Sequence, residues 1–268
     1  MPATNPPRIA IFVATSGHSG VDRVITNLVG ELSRRGLRVD LLHVANHGPY
    51  LDPLPEHVRV VELGSAHVNS SLLPLVRYLR RERPAALLSD KDKVNRVALL
   101  ARRLAGVATR VVVRIGTTVS KNLERRGPVQ RWTQYTSMRL FYRHADAVVV
   151  PSAGAAEDLA RIARLPAGRV RVAPSPVITP RLEALAGETP NHPWLRDRQG
   201  PVVLGVGELC ARKDFATLIR AFTRVRERTG ARLVILGEGR KRAELEALVA
   251  ELGLANAVAL PGFEANPY

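Results

Sequence analysis

Strand-length apolar runs alternate with helix-period segments along the whole chain, and after a proline-rich break the alternation starts again. This predicts an α/β fold of two successive doubly wound domains, each a parallel sheet covered by helices, with the second domain incomplete. The first apolar run, 8–14, opens through a glycine-bearing turn onto a helix at 21–35. That helix is expected to turn Val24, Leu28 and Leu32 inward and to stop at Gly36. Strands are then expected at 38–44, 58–63, 85–88, 109–114, 147–150 and 169–173, with helices at 72–83, 94–104, 129–143 and 153–162. Seven strands with interleaved helices make one full domain over 1–176. Pro174, Pro176, Pro180, Pro190 and Pro193, with Gly187 and Gly200, then interrupt the rhythm, so 177–200 reads as a hinge or linker. The pattern resumes over 201–268 with strands at 202–206, 232–236 and 257–260 and helices at 215–228 and 241–252. Three strands and two helices are half of a six-stranded Rossmann-type domain, so its remainder is expected beyond Tyr268.

Composition narrows the class. A chain of 268 residues, 46% hydrophobic, can bury a sizeable core in two domains. The most apolar stretches, 9–13 and 202–206, are far too short to span a bilayer. The N-terminus MPATNPP lacks the charged and apolar regions of a secretory signal, and the single Cys210 excludes an intramolecular disulfide. A cytoplasmic protein is expected. The charge is distinctive: 40 Lys and Arg against 24 Asp and Glu give +16, and residues 77–143 alone carry 17 basic against four acidic side chains. Such a field attracts polyanions, anionic lipid or a phosphorylated substrate, although arginine-rich solvated helix faces would produce the same count.

Two turns that follow strands have the composition to meet phosphate. The first reads TSGHSGVDR from Thr15 to Arg23; Gly17 and Gly20 permit close backbone approach, and the N–H groups at the helix start favour an anion. Glycines there also serve to pack helix on strand. A dinucleotide cofactor is a poor fit, because the end of the second strand reads His43-Val-Ala-Asn where a ribose-binding acid would stand. The second turn reads GVGELCARKDF from Gly205 to Phe215 and sets Arg212 beside Lys213 at a strand's C-terminal end. A fixed cation pair there can hold a diphosphate and offset charge growing on a leaving group; the alternative is a solvated pair.

The stretch from Gly207 to Phe222, followed by the strand ending Gly237-Glu-Gly239, resembles the donor-domain signature of family-4 glycosyltransferases of the GT-B fold. That signature runs G-R-L-x-x-x-K-G-x-x-x-L-I-x-A-F and then a strand ending in G-x-G; Gly207, Leu209, Lys213, Leu218, Ile219, Ala221, Phe222, Gly237 and Gly239 match it. Ser19-Gly-Val-Asp-Arg-Val, Ala145-Asp-Ala-Val-Val-Val-Pro-Ser and Val172-Ala-Pro-Ser-Pro-Val resemble the family's G-G-x-E-R-V turn, its strand before the hinge and its V-x-P-N-P-V. The resemblance implies transfer of a sugar from a nucleotide-diphosphate sugar with retention, no further cofactor and no bound metal. Gly17, Gly20, Gly207, Arg212, Lys213, Gly237 and Gly239 are the implied donor-binding residues. The chain departs from the pattern at Glu208 in place of the family's arginine, Ser19 for a glycine, Ser175 for the asparagine, and Ile115-Gly-Thr-Thr where a histidine is often found. Glu208 is expected to pair with Lys213, with Arg212 as the substitute cation. The family's E-x7-E segment would lie beyond Tyr268, so no catalytic residue is assigned and the 268-residue chain alone is expected to turn over negligibly. A non-catalytic polyanion-binding protein and a sugar-nucleotide epimerase of the same fold are the competing readings.

Three further features bear on the acceptor side. Asp90-Lys-Asp92 has the spacing of a metal-binding D-x-D, but Lys91 and Lys93 interleave it, and a substrate-contacting loop is the better reading. The segment 125–143 mixes Arg131, Arg139 and Arg143 with Trp132, Tyr135, Phe141 and Tyr142. It reads either as a seat for anionic headgroups or, preferred, as a covering helix with Trp132, Tyr135 and Met138 turned inward. Arg102 is expected to face solvent from its helix. The partners expected are a nucleotide sugar, a polar or anionic acceptor, and peripheral contact with the inner face of a membrane, but no nucleic acid.

Overall fold

The computed structural model describes residues 6–17, 19–124, 126–166, 168–197 and 200–268. His18 in the first glycine-rich turn, Arg125 in the basic segment, Ala167, and Arg198 and Gln199 in the proline-rich stretch lie outside the described residues. The chain divides into two compact units, Met1–Val177 and Ile178–Tyr268.

In the first unit β1 (Arg8–Phe12) leads to α1 (Gly20–Arg34), β2 (Arg38–His43), β3 (Val58–Glu62), α2 (Leu72–Glu82), β4 (Ala86–Asp90) and α3 (Asp92–Ala105). There follow β5 (Arg110–Arg114), α4 (Val119–Asn122), α5 (Pro128–Phe141), β6 (Ala147–Val150), α6 (Ala153–Ala163) and β7 (Val170–Val172). The seven strands pair in parallel in the order β3-β2-β1-β4-β5-β6-β7. Parallel strands covered on both faces must be apolar throughout, and Ala10, Ile11, Phe12, Leu41, Leu42, Leu87, Val111, Val113 and Val148 are all fully buried. The order reverses between β1 and β4, and the loops that follow these two strands therefore flank a crevice at the sheet's C-terminal edge.

In the second unit α7 (Pro180–Ala186) and α8 (Pro193–Arg196) precede β8 (Val202–Val206), α9 (Phe215–Thr229), β9 (Arg232–Leu236), α10 (Arg242–Glu251) and β10 (Val258–Gly262). The three strands are parallel in the order β10-β9-β8. A core of Leu209, Phe215, Ile219, Phe222, Leu233, Ile235, Leu245 and Leu248 joins both long helices to the sheet, while Leu204 and Val206 of β8 are exposed.

Several sequence expectations need correcting. On α1 the buried stripe is Val24, Ile25 and Val29, with Leu28 only half-buried, because Ile25 and Val29 pack on Ile11, Val13 and Val39. The proline-rich stretch holds the short helices α7 and α8, each started by proline at its first positions after a capping Thr179 or His192. Trp132 does not turn inward; it is 66% exposed, while Met138 on the opposite face of α5 is buried and Tyr135 packs at the core's margin. Arg102 does not simply face solvent, since its guanidinium donates to the His144 carbonyl at 2.8 Å and lies 3.8 Å from Asp146.

Candidate functional site

At the C-terminal edge of the first unit, the polar groups are tied to one another. Asp22, in the first turn of α1, is buried and accepts hydrogen bonds from the Thr15 hydroxyl, the Ser19 N–H at 2.7 Å and the Ser19 hydroxyl at 2.5 Å. A carboxylate at that position answers the positive end of the helix from within the protein, leaving less of its field for an incoming anion. Gly17 takes a left-handed φ of 86°, and a Cβ there would meet the Tyr50 ring at 2.7 Å, so it is needed to pack the turn against the loop after β2. Gly20 differs: it is exposed, with nothing within 4 Å of where a Cβ would stand. Across the crevice, Lys91 sits at φ 75° and its ammonium donates to the Ala14 carbonyl at 3.1 Å, linking the loops after β4 and β1.

Asp90 and Asp92 do not form a joint cation site. The Asp90 carboxylate pairs with the buried Arg114 guanidinium, which also donates to the Ser175 hydroxyl at 2.8 Å. Asp92 accepts from the Tyr142 hydroxyl at 3.1 Å and pairs with Arg96 at 3.2 Å. Burial pushes both carboxyl groups above the usual Asp range, opposed at Asp90 by Arg114 and at Asp92 by Arg96. The Asp90–Arg114–Ser175 chain escaped the sequence reading because its members lie 24 and 61 residues apart; the one available signal was a charged pair closing two adjacent apolar strands.

In the second unit the matched residues gather at the C-terminal edge of β8 and β9. The turn after β8 and the turn after β9 lie back to back: Leu209 N–H donates to Glu238 O at 2.9 Å, and Lys241 N–H donates to Leu209 O at 3.0 Å. Gly237, at φ 134°, and Gly239 face this seam, and a Cβ on either would collide with backbone, the Gly207 carbonyl in one case and the Leu209 carbonyl in the other. The structure thus gives these two glycines a packing reason independent of any ligand. Gly207, at φ 155°, lies under the Lys213 side chain, whose Cε would stand 2.9 Å from a Cβ there. Lys213 itself is exposed, and among the described residues no carboxylate lies within ion-pair distance of its ammonium. Glu208 pairs instead with Arg212, at 3.5 Å and with both side chains well exposed, which corrects the expected Glu208–Lys213 pair. The spacing explains the choice: across a tight turn, position i+4 returns over i, whereas Lys213 at i+5 is carried back across Gly207.

Comparison with known proteins places both units. Residues 19–176 match the family model described as Glycosyl transferase 4-like domain, and residues 191–267 match Glycosyl transferases group 1. The chain is 30% identical over 271 aligned residues to the N-acetylgalactosamine-N,N'-diacetylbacillosaminyl-diphospho-undecaprenol 4-alpha-N-acetylgalactosaminyltransferase of Campylobacter jejuni, covering 97% of this chain and 71% of that relative. It is 30% identical over 222 residues to the alpha-D-kanosaminyltransferase of Streptomyces kanamyceticus, covering 77% of this chain and 56% of that one. Among solved structures, sucrose-phosphate synthase from Thermosynechococcus elongatus superposes with a TM-score of 0.74 at 19% identity, over 98% of this chain and 72% of the other. The Anabaena protein HepE in complex with UDP and glucose gives 0.71 at 18% identity, over 97% and 71%. At such identities the two structures speak to the fold.

Proposed function

The chain belongs to the family-4 glycosyltransferases of the GT-B fold, and on that premise we propose that it moves a sugar from a nucleotide-diphosphate sugar to a polar or anionic acceptor with retention of configuration. The observation that carries the donor side is Lys213: an exposed ammonium with no carboxylate partner among the described residues, led across Gly207 at the edge where open parallel sheets take their ligands. Its charge is free to meet the diphosphate and to stabilise it as the bond to the sugar's anomeric carbon breaks. Arg212, bridged to Glu208, contributes less until a ligand competes for it. Gly20, open at the start of α1, leaves room for a phosphate or sugar to approach the backbone of the first unit. The relative from Campylobacter jejuni, whose name specifies a diphospho-undecaprenol-linked acceptor, and the basic excess over 77–143 both support an anionic acceptor on the first unit.

The test is sugar transfer from a panel of nucleotide sugars to a polyprenyl-diphosphate-linked glycan. Lys213→Ala should lower turnover by about 10²–10³ at saturating donor, the usual loss on removing one preorganised charge-stabilising group. Arg224→Ala, an exposed cation on α9, should leave turnover unchanged. An unimpaired Lys213→Ala variant would contradict the assignment, and donor conversion that needs no acceptor would point to epimerisation.

A further inference from the structure

α5 carries Val129, Trp132 and Leu140 on its outward side, all more than half exposed. At 100° per residue these three side chains fall within about 80° of one another, a single stripe opposite the buried Met138. The helix that bears the stripe carries cations and no acid: from Arg126 to Arg143 there are four arginines and neither Asp nor Glu. Arg126 and Arg131 are exposed, and among the described residues neither has a carboxylate partner. Beside the last turn of α5, the end of α3 adds exposed Leu104 and Arg103. A pocket of about 440 Å³ opens between the two helices, walled by Leu100, Val107, Leu140 and Phe141, with Arg103 and His144 on its lining. Apolar side chains in a stripe, accompanied along their own helix only by positive charge, complement one kind of surface: headgroups that are negative over a hydrocarbon interior. A protein partner matching it would need its own apolar ridge bordered by acids, and nucleic acid has no use for the Val129 and Leu140 exposure.

We infer that the outward face of α5, from Arg126 to Arg143, docks the protein on an anionic lipid bilayer, with Trp132 and Leu140 entering the interface and the pocket beside α3 seating part of one lipid. Because α5 joins the parallel strands β5 and β6, its first turn lies toward the C-terminal edge of the sheet. Docking through it therefore brings the acceptor-side edge of the first unit close to the bilayer. The surface stands independently of the donor assignment to Lys213, and its test measures no transfer.

The experiment uses the Trp194→Phe chain, in which Trp132 is the only tryptophan, with vesicles of phosphatidylglycerol and phosphatidylcholine or of phosphatidylcholine alone. Binding by flotation should require phosphatidylglycerol, with Trp132 emission shifting to shorter wavelength and quenched by lipids brominated on the acyl chain. Arg126→Glu with Arg131→Glu should weaken partitioning by about 30-fold or more, at about fivefold for each cation lost from the headgroup layer. Trp132→Ser should weaken it further, while circular dichroism stays unchanged. Binding that survives both changes, Trp132 emission that does not move when vesicles bind, or no binding to phosphatidylglycerol at all would overturn the inference. So would emission already blue-shifted in buffer from a chain that sediments as a dimer, which would make a second copy the occupant.

Discussion

The two edges that carry the matched motifs differ in how their charges are used. At the edge of the first unit, Asp22 is held by Thr15 and Ser19, Asp90 by Arg114, and Lys91 by the Ala14 carbonyl. At the edge of the second, Lys213 has no acid partner among the described residues and the Arg212–Glu208 pair is exposed. Both edges are made of loops after parallel strands, yet one is a closed hydrogen-bonded lattice and the other presents a free cation. A motif match identifies where such groups stand; only the partner list shows which of them still has charge to offer a ligand.

The sharpest way to break this contrast is to remove one acid from each edge. Asp90→Ala leaves Arg114 buried without its counter-charge and should cost about 3–5 kcal/mol, seen as faster hydrogen exchange in β1, β4 and β5. Glu208→Ala removes an exposed partner and should change stability by no more than about 0.5 kcal/mol. If the two losses were equal, the first edge would not be the closed lattice described.

Glycines sharpen it next. Gly237→Ala would drive a methyl group toward the Gly207 carbonyl from a left-handed backbone and should destabilise the second unit by about 2–4 kcal/mol. Loss of Trp194 fluorescence in denaturant, measured in a Trp132→Phe background, reports that unit. Gly20→Ala has the opposite sign: with open space and a helical position, it should stabilise α1 by about 0.4–1 kcal/mol. A stabilising Gly237→Ala would show that the seam between the two turns is loose.

Much of the fold was legible because parallel strands buried on both faces read as unbroken apolar runs, as in Ala10–Val13 and Leu233–Leu236, and because Gly230 and Gly36 stand where helices end. α7 and α8, of seven and four residues, are too short for a helical period to declare itself. The inward face of α1 was placed in part: Val24 is buried and Leu32 packs on the core as expected, but Ile25 and Val29 take the centre and Leu28 is only half-buried, which the position of Ile11 and Val13 decides. Trp132 misled for a related reason: an aromatic at helical spacing implies burial unless the helix's neighbours fall short of it. For the candidate site, the sequence places Arg212 and Lys213 on one loop, but that Glu208 takes Arg212 and leaves Lys213 free depends on how a single turn closes.

The most direct test of the central claim, that Lys213 is the free cation for the donor's diphosphate, is calorimetric titration of nucleoside diphosphates into three chains: unaltered, Lys213→Ala and Arg224→Ala. A hydrogen bond to a charged group contributes about 1.5–3 kcal/mol, so Lys213→Ala should weaken the best-bound diphosphate by about tenfold or more. Arg224→Ala should shift it less than about twofold, and the Lys213-dependent part should shrink as salt rises. Equal losses in the two variants, an unchanged Lys213→Ala, or no diphosphate bound by the unaltered chain would contradict the claim.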